Sequence, residues 1–252
     1  MTPADRLIVA LDVDGLDQAE KFVRMLIPVG VKHFKVGLQL FTSVGPAAVE
    51  MVHRNGGKVF LDMKFHDIPN TVGKAVQVAT RLGVWMVNVH IQGGGAMIRQ
   101  AIASAGEEAR KQKRPTPLLL GVTVLTSMSD RDLLDLGVRK TLKDQVLNMT
   151  KLAKSGGLNG IVASAQEAAV IRWACGKEFL IVTPGIRPPA EGDHLLGIPV
   201  GATKNPDDQQ RTATPAQAIR AGADYLVVGR PLLNAADPAR LAQAIIAECG
   251  EN

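Results

Sequence analysis

The sequence predicts an α/β fold, a single-domain (β/α)8 TIM barrel over residues 1–252. Three observations carry that reading. Eight short runs rich in apolar and β-branched residues recur along the whole chain, and each is followed by a segment of helical periodicity. Strand–helix alternation of this kind calls for parallel pairing through right-handed crossovers. A length of 252 residues suits eight such units in one closed barrel, with an open doubly wound sheet as the alternative. No linker or shift of composition divides the chain.

The units read in order as follows. Leu7–Leu11 is strand-like, and Leu16–Ile27 after it carries apolar residues at three- to four-residue spacing. His33–Leu38 precedes a helix at Val44–Val52, and Lys58–Leu61 precedes one at Val72–Leu82. Met86–Val89 leads to Ala96–Ala109, and Leu118–Val124 leads to Leu142–Leu152. Gly160–Ala163 is followed by Ala165–Ala174, Leu180–Val182 by Pro215–Ala221, and Tyr225–Val228 by Pro238–Ala247. Gly56-Gly57, Gly83, Gly156-Gly157 and Gly222 stand where helices must stop before the next strand.

Composition narrows the class. With 46% hydrophobic and 21% charged residues, the chain can bury a large core and is not a disordered one. Its two cysteines, Cys175 and Cys249, lie apart in helical segments, which argues against a disulfide framework or a structural zinc site. Met1–Arg6 passes straight into a strand-like run, and no apolar stretch approaches membrane-spanning length, so a cytoplasmic protein without a membrane partner is expected. The net charge of +5 and pI near 9.3 raise nucleic acid as a partner. However, the basic residues are dispersed and aromatics are only 4%, so no stacking surface or basic helix face is evident. An anionic small molecule fits the charge balance better.

Residues 58–72 concentrate the chemistry. The apolar run Val59-Phe60-Leu61 ends in Asp62, Lys64 and Asp67, with Pro69, Asn70 and Thr71 behind. Alternate residues of a strand share a face, so Asp62 and Lys64 project to one side. In isolation the pair reads as a solvated ion pair of little energetic consequence. A barrel changes this, because its active site gathers residues from the C-terminal ends of all the strands. Those ends supply Asp12, Lys35, Asp62 with Lys64, His90, Thr126 with Ser127, Ser164, the turn Thr183–Arg187, and Gly229 with Arg230. Such a concentration of Lys, Asp and Arg on one rim points to a ligand site.

The last two loops specify part of that ligand. In barrels the loops after strands seven and eight commonly bind phosphate. Here they are Thr183-Pro184-Gly185-Ile186-Arg187 and Val228-Gly229-Arg230-Pro231. Gly229 lets backbone N–H groups approach an anion, and Arg230 can add a bidentate contact. The long polar stretch 188–213 is expected to be a lid over the phosphate.

Five blocks now identify a resemblance. Asp62-Met63-Lys64-Phe65-His66-Asp67-Ile68-Pro69-Asn70-Thr71 is similar to the signature of the orotidine 5′-phosphate decarboxylase family. Ala10-Leu11-Asp12, Phe34-Lys35-Val36-Gly37, Val182–Pro188 and Val228–Pro231 agree in order and spacing, from the first strand to the last. The Asp62/Lys64/Asp67 core is shared with related sugar-phosphate decarboxylases and aldolases, while Ile68–Thr71 and Thr183–Arg187 favour orotidylate.

The resemblance implies decarboxylation of orotidine 5′-monophosphate to uridine 5′-monophosphate, without metal or organic cofactor. It implies Lys64 as proton donor within a catalytic network of Lys35, Asp62, Lys64 and Asp67. Asp12 and Lys35 would hold ribose hydroxyls, and Arg187, Gly229 and Arg230 the phosphate. Thr126, Ser127 or Ser129 would bond the pyrimidine, with the choice among them open. Gln209 fits a glutamine bridging base and phosphate, with adjacent Gln210 as the alternative. Asp67, Ile68 and Thr71 would contact substrate, Asp67 and Thr71 from the neighbouring subunit, which makes a homodimer the expected assembly.

Other residues read as structural. His66 reads as a loop residue outside the pocket, and His90 is expected to find a hydrogen-bond partner as buried histidines do. Gly93-Gly94-Gly95 is a strand-to-helix turn. Two other functions keep the same residues: a metal-dependent sugar-phosphate decarboxylase or aldolase, and a silent nucleotide-binding protein.

Overall fold

The computed structural model describes residues 1–188 and 211–250. Its first unit is β1 (Leu7–Ala10) and α1 (Leu16–Leu26), preceded by a 3-10 turn at Pro3–Arg6. β2 (His33–Gly37) runs directly into α2 (Leu38–Val44), and α3 (Ala47–Arg54) completes the return. Then come β3 (Lys58–Phe65), α4 (Pro69–Arg81), β4 (Met86–His90) and α5 (Gly94–Gln112). β5 (Leu118–Val122), α6 (Asp130–Asp135), α7 (Leu142–Gly156), β6 (Gly160–Val162) and α8 (Ala165–Cys175) follow. β7 (Leu180–Thr183), α9 (Pro215–Arg220), β8 (Tyr225–Val228), α10 (Arg230–Leu233) and α11 (Pro238–Glu248) close the chain.

The eight strands form a closed barrel in sequence order, and β1 pairs in parallel with both β2 and β8. The single-barrel expectation thus holds, and the open sheet is excluded by the β1–β8 pairing. Side-chain alternation sorts the strand residues into two layers. Ile8, Ala10, Phe60, Met86, Leu120, Val182, Tyr225 and Val227 fill the inside of the barrel. The intervening residues, among them Val9, Phe34, Leu61, Val87, Ile161 and Val228, join the apolar faces of the surrounding helices in a second, larger core. At the start of the strands His33 stacks on Trp85, ring centroids 4.1 Å apart, and Tyr225 meets Trp85 edge-on at 5.3 Å. These rings close the barrel at the end opposite the charged rim.

Three short helices escape the sequence pattern for one reason: a single turn or two gives periodicity nothing to repeat. α2 takes Leu38 out of the strand where it was expected and leaves it half exposed. α6 is announced only by its cap, since Ser129 accepts from the Asp132 N–H while the Asp132 carboxylate accepts from Ser129. α10 begins at Arg230 itself, with Pro231 in its first turn. β3 also runs past its expected end at Leu61 to Phe65, and its pairing with β4 is irregular over that extension.

Candidate active site

The rim of the barrel carries a chain of alternating charges. Lys35 points inward from the middle of β2, a strand buried throughout. Its Nζ lies 2.9 Å from Asp12 Oδ1, just past β1, and 3.3 Å from Asp62 Oδ2 on β3. The other oxygen of Asp62 receives Lys64 Nζ at 2.7 Å. Gly37 makes this possible: it pairs with Asp62, and a Cβ there would stand only 2.6 Å from Lys35 Nζ. Two carboxylates and two ammonium groups therefore balance within a part-buried cluster, as buried charges require.

The electrostatics follow from that balance. Burial works against the Asp62 carboxylate, but Lys35, Lys64 and the hydrogen bonds to Lys64 and Asn88 outweigh it and bring its pKa down to about 2. Burial likewise works against the Lys35 ammonium, and Asp62 and Asp12 more than offset it, so its pKa lies above the usual lysine value. Asp62 and Lys35 therefore stay ionised across the neutral range, as a field aimed at a reacting group must.

Lys64 is unusual in its backbone. Its φ of 50° is left-handed, a region that long side chains enter rarely and at a cost. The Lys64 N–H donates to Asn88 Oδ1 at 2.8 Å, and Asn88 Nδ2 donates to Asp62 Oδ1 at 2.7 Å. Asn88 was not among the residues the sequence pointed to. The available signal was its polarity at the centre of the apolar run Met86–Val89, on the same inward face as Met86.

These charges line one side of a cavity of about 280 Å³. Its floor is Ala10, Phe60, Val122, Val162 and Val227 from the inside of the barrel. Opposite stand Pro184, Gly185 and Arg187 after β7, with Gly229 and Arg230 after β8. At Gly229 a Cβ would come within 3.3 Å of Asp12 Oδ2 and Ala10 Cβ, so a larger residue would crowd both. The third wall is the loop after β5, with Leu125, Thr126 and Ser127. Ser129 is not part of it: its hydroxyl is taken by Asp132 at 2.6 Å as the cap of α6. Of the three hydroxyl candidates for the base, Thr126 and Ser127 face the cavity.

Arg211 is a second residue the sequence did not reveal. Nearly buried, it pairs with Glu167 of α8 and donates to the carbonyls of Leu125, at 3.0 Å, and Thr126, at 3.5 Å. It thus ties the cavity wall after β5 to the chain entering α9. Nearby, Ile186 and Ala213 pair as a parallel bridge, and Arg187 N–H donates to Ala213 at 2.9 Å. Gln209, its alternative Gln210 and most of the expected lid lie outside the described residues.

Asp67, Ile68 and Thr71 do not line this chain's own cavity. All three are exposed, and Asp67 Oδ1 accepts from the Ile68 N–H at 2.6 Å. His66 is exposed too, just past the end of β3. Its ring lies 5.4 Å from that of His90. The partner expected for His90 is missing at one nitrogen: Nδ1 is buried without a hydrogen bond. Burial, His66 and Lys64 all hold the His90 pKa below the ordinary histidine value. Among the described residues, no group of three or more His, Cys, Asp or Glu side chains could hold a metal ion, and no helix is long and apolar enough to cross a membrane.

Comparison with known proteins bears on this geometry. Residues 5–245 match the model of the family described as "Orotidine 5'-phosphate decarboxylase / HUMPS family". A protein named orotidine 5'-phosphate decarboxylase from Moorella thermoacetica is 49% identical over 250 residues, covering 98% of this chain and 93% of that one. One of the same name from Syntrophomonas wolfei is 47% identical, covering 100% of both. The crystal structure of orotidine 5'-phosphate decarboxylase from Lactobacillus acidophilus superimposes with a TM-score of 0.81 at 35% identity, covering 98% of this chain and 100% of the other.

Proposed function

Because the chain belongs to the orotidine 5′-phosphate decarboxylase family, we propose that its cavity binds orotidine 5′-monophosphate and turns it into uridine 5′-monophosphate and CO2 through the charges around Lys64. The enzyme is a carboxy-lyase of UMP biosynthesis. The observation that carries the mechanism is the pair of contacts made by Asp62, to Lys64 at 2.7 Å and to Lys35 at 3.3 Å, on the wall of the cavity.

The chemical difficulty is a carbanion. When the bond to the carboxylate breaks, its electron pair stays on a ring carbon in an orbital that the π-system does not delocalise. Stabilisation must come from fixed charge, and a water-poor cavity with oriented groups supplies it without reorganisation during the reaction. Lys64 is the cation beside that carbon and transfers an Nζ proton to it, so one C–C bond is exchanged for one C–H bond. Asp62 orients Lys64 and faces the departing carboxylate. Lys35 and Asp12 hold the ribose hydroxyls, and Arg187, Gly229 and Arg230 the phosphate. Thr126 and Ser127 bond the pyrimidine, and Gln209, or Gln210 beside it, bridges base and phosphate.

The reading includes a second copy of the chain. Asp67, Ile68 and Thr71 serve the neighbour's cavity, Asp67 completing the Lys35, Asp62 and Lys64 network from across the interface. What supports this is that all three are exposed in the single chain, Ile68 66% accessible, and that none of them lines this chain's own cavity.

The metal-dependent sugar-phosphate reading fits less well, since Asp12 and Asp62 are each already engaged by an ammonium group that a cation would have to displace. One assay tests both. The fall of orotidylate absorbance is followed with purified protein in excess chelator. Turnover is expected; strict dependence on an added divalent metal would overturn the proposal.

A further inference from the structure

β3 and β4 do not pair evenly where the charges arise. Phe60 pairs with Met86 and Leu61 with Val87, but the next pair is Phe65 with Val89. Between these pairs β3 has three residues, Asp62, Met63 and Lys64, where β4 has only Asn88. A bulge of this kind removes ladder hydrogen bonds and re-aims side chains. Here the missing bonds are replaced by one side chain. Asn88, wholly buried, accepts the Lys64 N–H at 2.8 Å and donates to Asp62 Oδ1 at 2.7 Å. The same Asp62 oxygen takes Lys64 Nζ at 2.7 Å. A closed ring of contacts runs from the Lys64 backbone through Asn88 and Asp62 to the Lys64 ammonium.

We propose that Asn88 is a positioning residue for the decarboxylation, holding the β3 bulge so that Lys64 and Asp62 meet at one point of the cavity. The inference rests on the mechanism proposed above. An amide suits this place because it offers one donor and one acceptor and carries no charge. A carboxylate could still accept from Lys64 N–H, but it has no donor for Asp62 and adds a like charge beside it. An apolar residue of the same shape leaves the part-buried Lys64 N–H without a partner and removes a contact that holds the left-handed backbone at φ 50°. Asn88 has no place on the cavity wall, so it acts on the reaction only through Lys64 and Asp62.

The test compares Asn88→Leu and Asn88→Asp with the wild-type enzyme in kcat, KM, binding of uridine 5′-monophosphate and melting temperature. For Asn88→Leu a fall in kcat of about 10²-fold is expected, the scale of a misplacement near 1 Å, with KM within about threefold of wild type. Asn88→Asp supplies a readout that mere structural damage does not imitate. Protonated, the new carboxyl again has one donor and one acceptor, and its pKa is raised by burial next to Asp62. Its kcat should therefore approach the wild-type value at low pH and fall as pH rises, over a range where the wild type is flat. A kcat for Asn88→Leu within threefold of an active wild type would overturn the inference, as would an Asn88→Asp profile parallel to the wild type. Should Asn88→Leu fail to fold, the Asn88→Asp profile decides alone. A wild type inactive on orotidylate would overturn the functional reading, and this inference with it.

Discussion

Arg211 and Glu167 meet in the interior of the protein, the arginine 8% and the glutamate 6% exposed. Glu167 stands in the first turn of α8, while Arg211 lies just ahead of α9 and also holds the carbonyls of Leu125 and Thr126. One oxygen of the carboxylate, Oε2, is buried without a hydrogen bond. Burial raises the Glu167 pKa despite the arginine beside it. The pair therefore contributes little net stability and instead joins the wall of the cavity to the chain that re-enters the barrel.

Breaking and replacing that pair should have opposite effects. Arg211→Ala strands a buried carboxylate and should cost about 3–5 kcal/mol. The double change Arg211→Met with Glu167→Leu removes both charges and should regain most of the melting temperature. Its KM for orotidylate should stay raised, because Leu125 and Thr126 lose their donor. Thermal melts and initial rates on both variants check this; an unchanged KM in the double variant would break the link to the cavity wall.

Lys64→Ala should abolish turnover while leaving ligand binding. A loss in kcat of at least ~10²–10⁴-fold is expected for a positioned proton donor. Uridine 5′-monophosphate has no carboxylate and no carbanion, so its affinity, measured by titration calorimetry, should change much less. Near-normal kcat would contradict the mechanism.

The proposal that Asp67 serves the neighbouring subunit predicts recovery by mixing. Lys64→Ala and Asp67→Ala chains should each be inactive alone. In a mixed dimer one cavity receives Lys64 from one chain and Asp67 from the other, so unfolding and refolding the two together should restore a fraction of wild-type activity. Absence of any recovery would argue that Asp67 serves its own chain.

His33 predicts a slope of stability with pH. Burial, with Lys58 adding to it, lowers the His33 pKa from the ordinary 6.5 to about 4 in the folded protein. Above pH 6.5 both states hold it neutral, and it contributes no slope. As pH falls from 6.5 towards 4, only the unfolded state takes up the proton, and folding loses up to about 3 kcal/mol from this group. Below about 4 both states are protonated and the loss stops growing. His33→Phe keeps the stack on Trp85 and removes the titration, so the wild-type minus variant difference in denaturant midpoint should fall as pH drops from 6.5 to 4 and stay flat above 6.5.

Much of the site was legible because its residues are tied to strand ends. Asp12, Lys35, Asp62, Lys64, Arg187, Gly229 and Arg230 each follow or interrupt an apolar run, and any barrel brings such positions onto one rim. Thr126 and Ser127 were readable as a group, but the choice against Ser129 required the cap of α6, which consumes that hydroxyl. Asn88 and Arg211 work through pairings 24 and 44 residues away in sequence, to Lys64 and Glu167, and local pattern carries no trace of such partners.

The sequence by itself determined the eightfold alternation, the closure expected of it, and the rim on which the charges collect, since strand and helix periods are local properties of the chain. Only the tertiary structure decided how the charges connect. The bulge at Asp62–Lys64, the left-handed Lys64 and the amide of Asn88 arise from the mismatch between β3 and β4. That mismatch is a property of two strands packed together, and neither strand's sequence contains it alone.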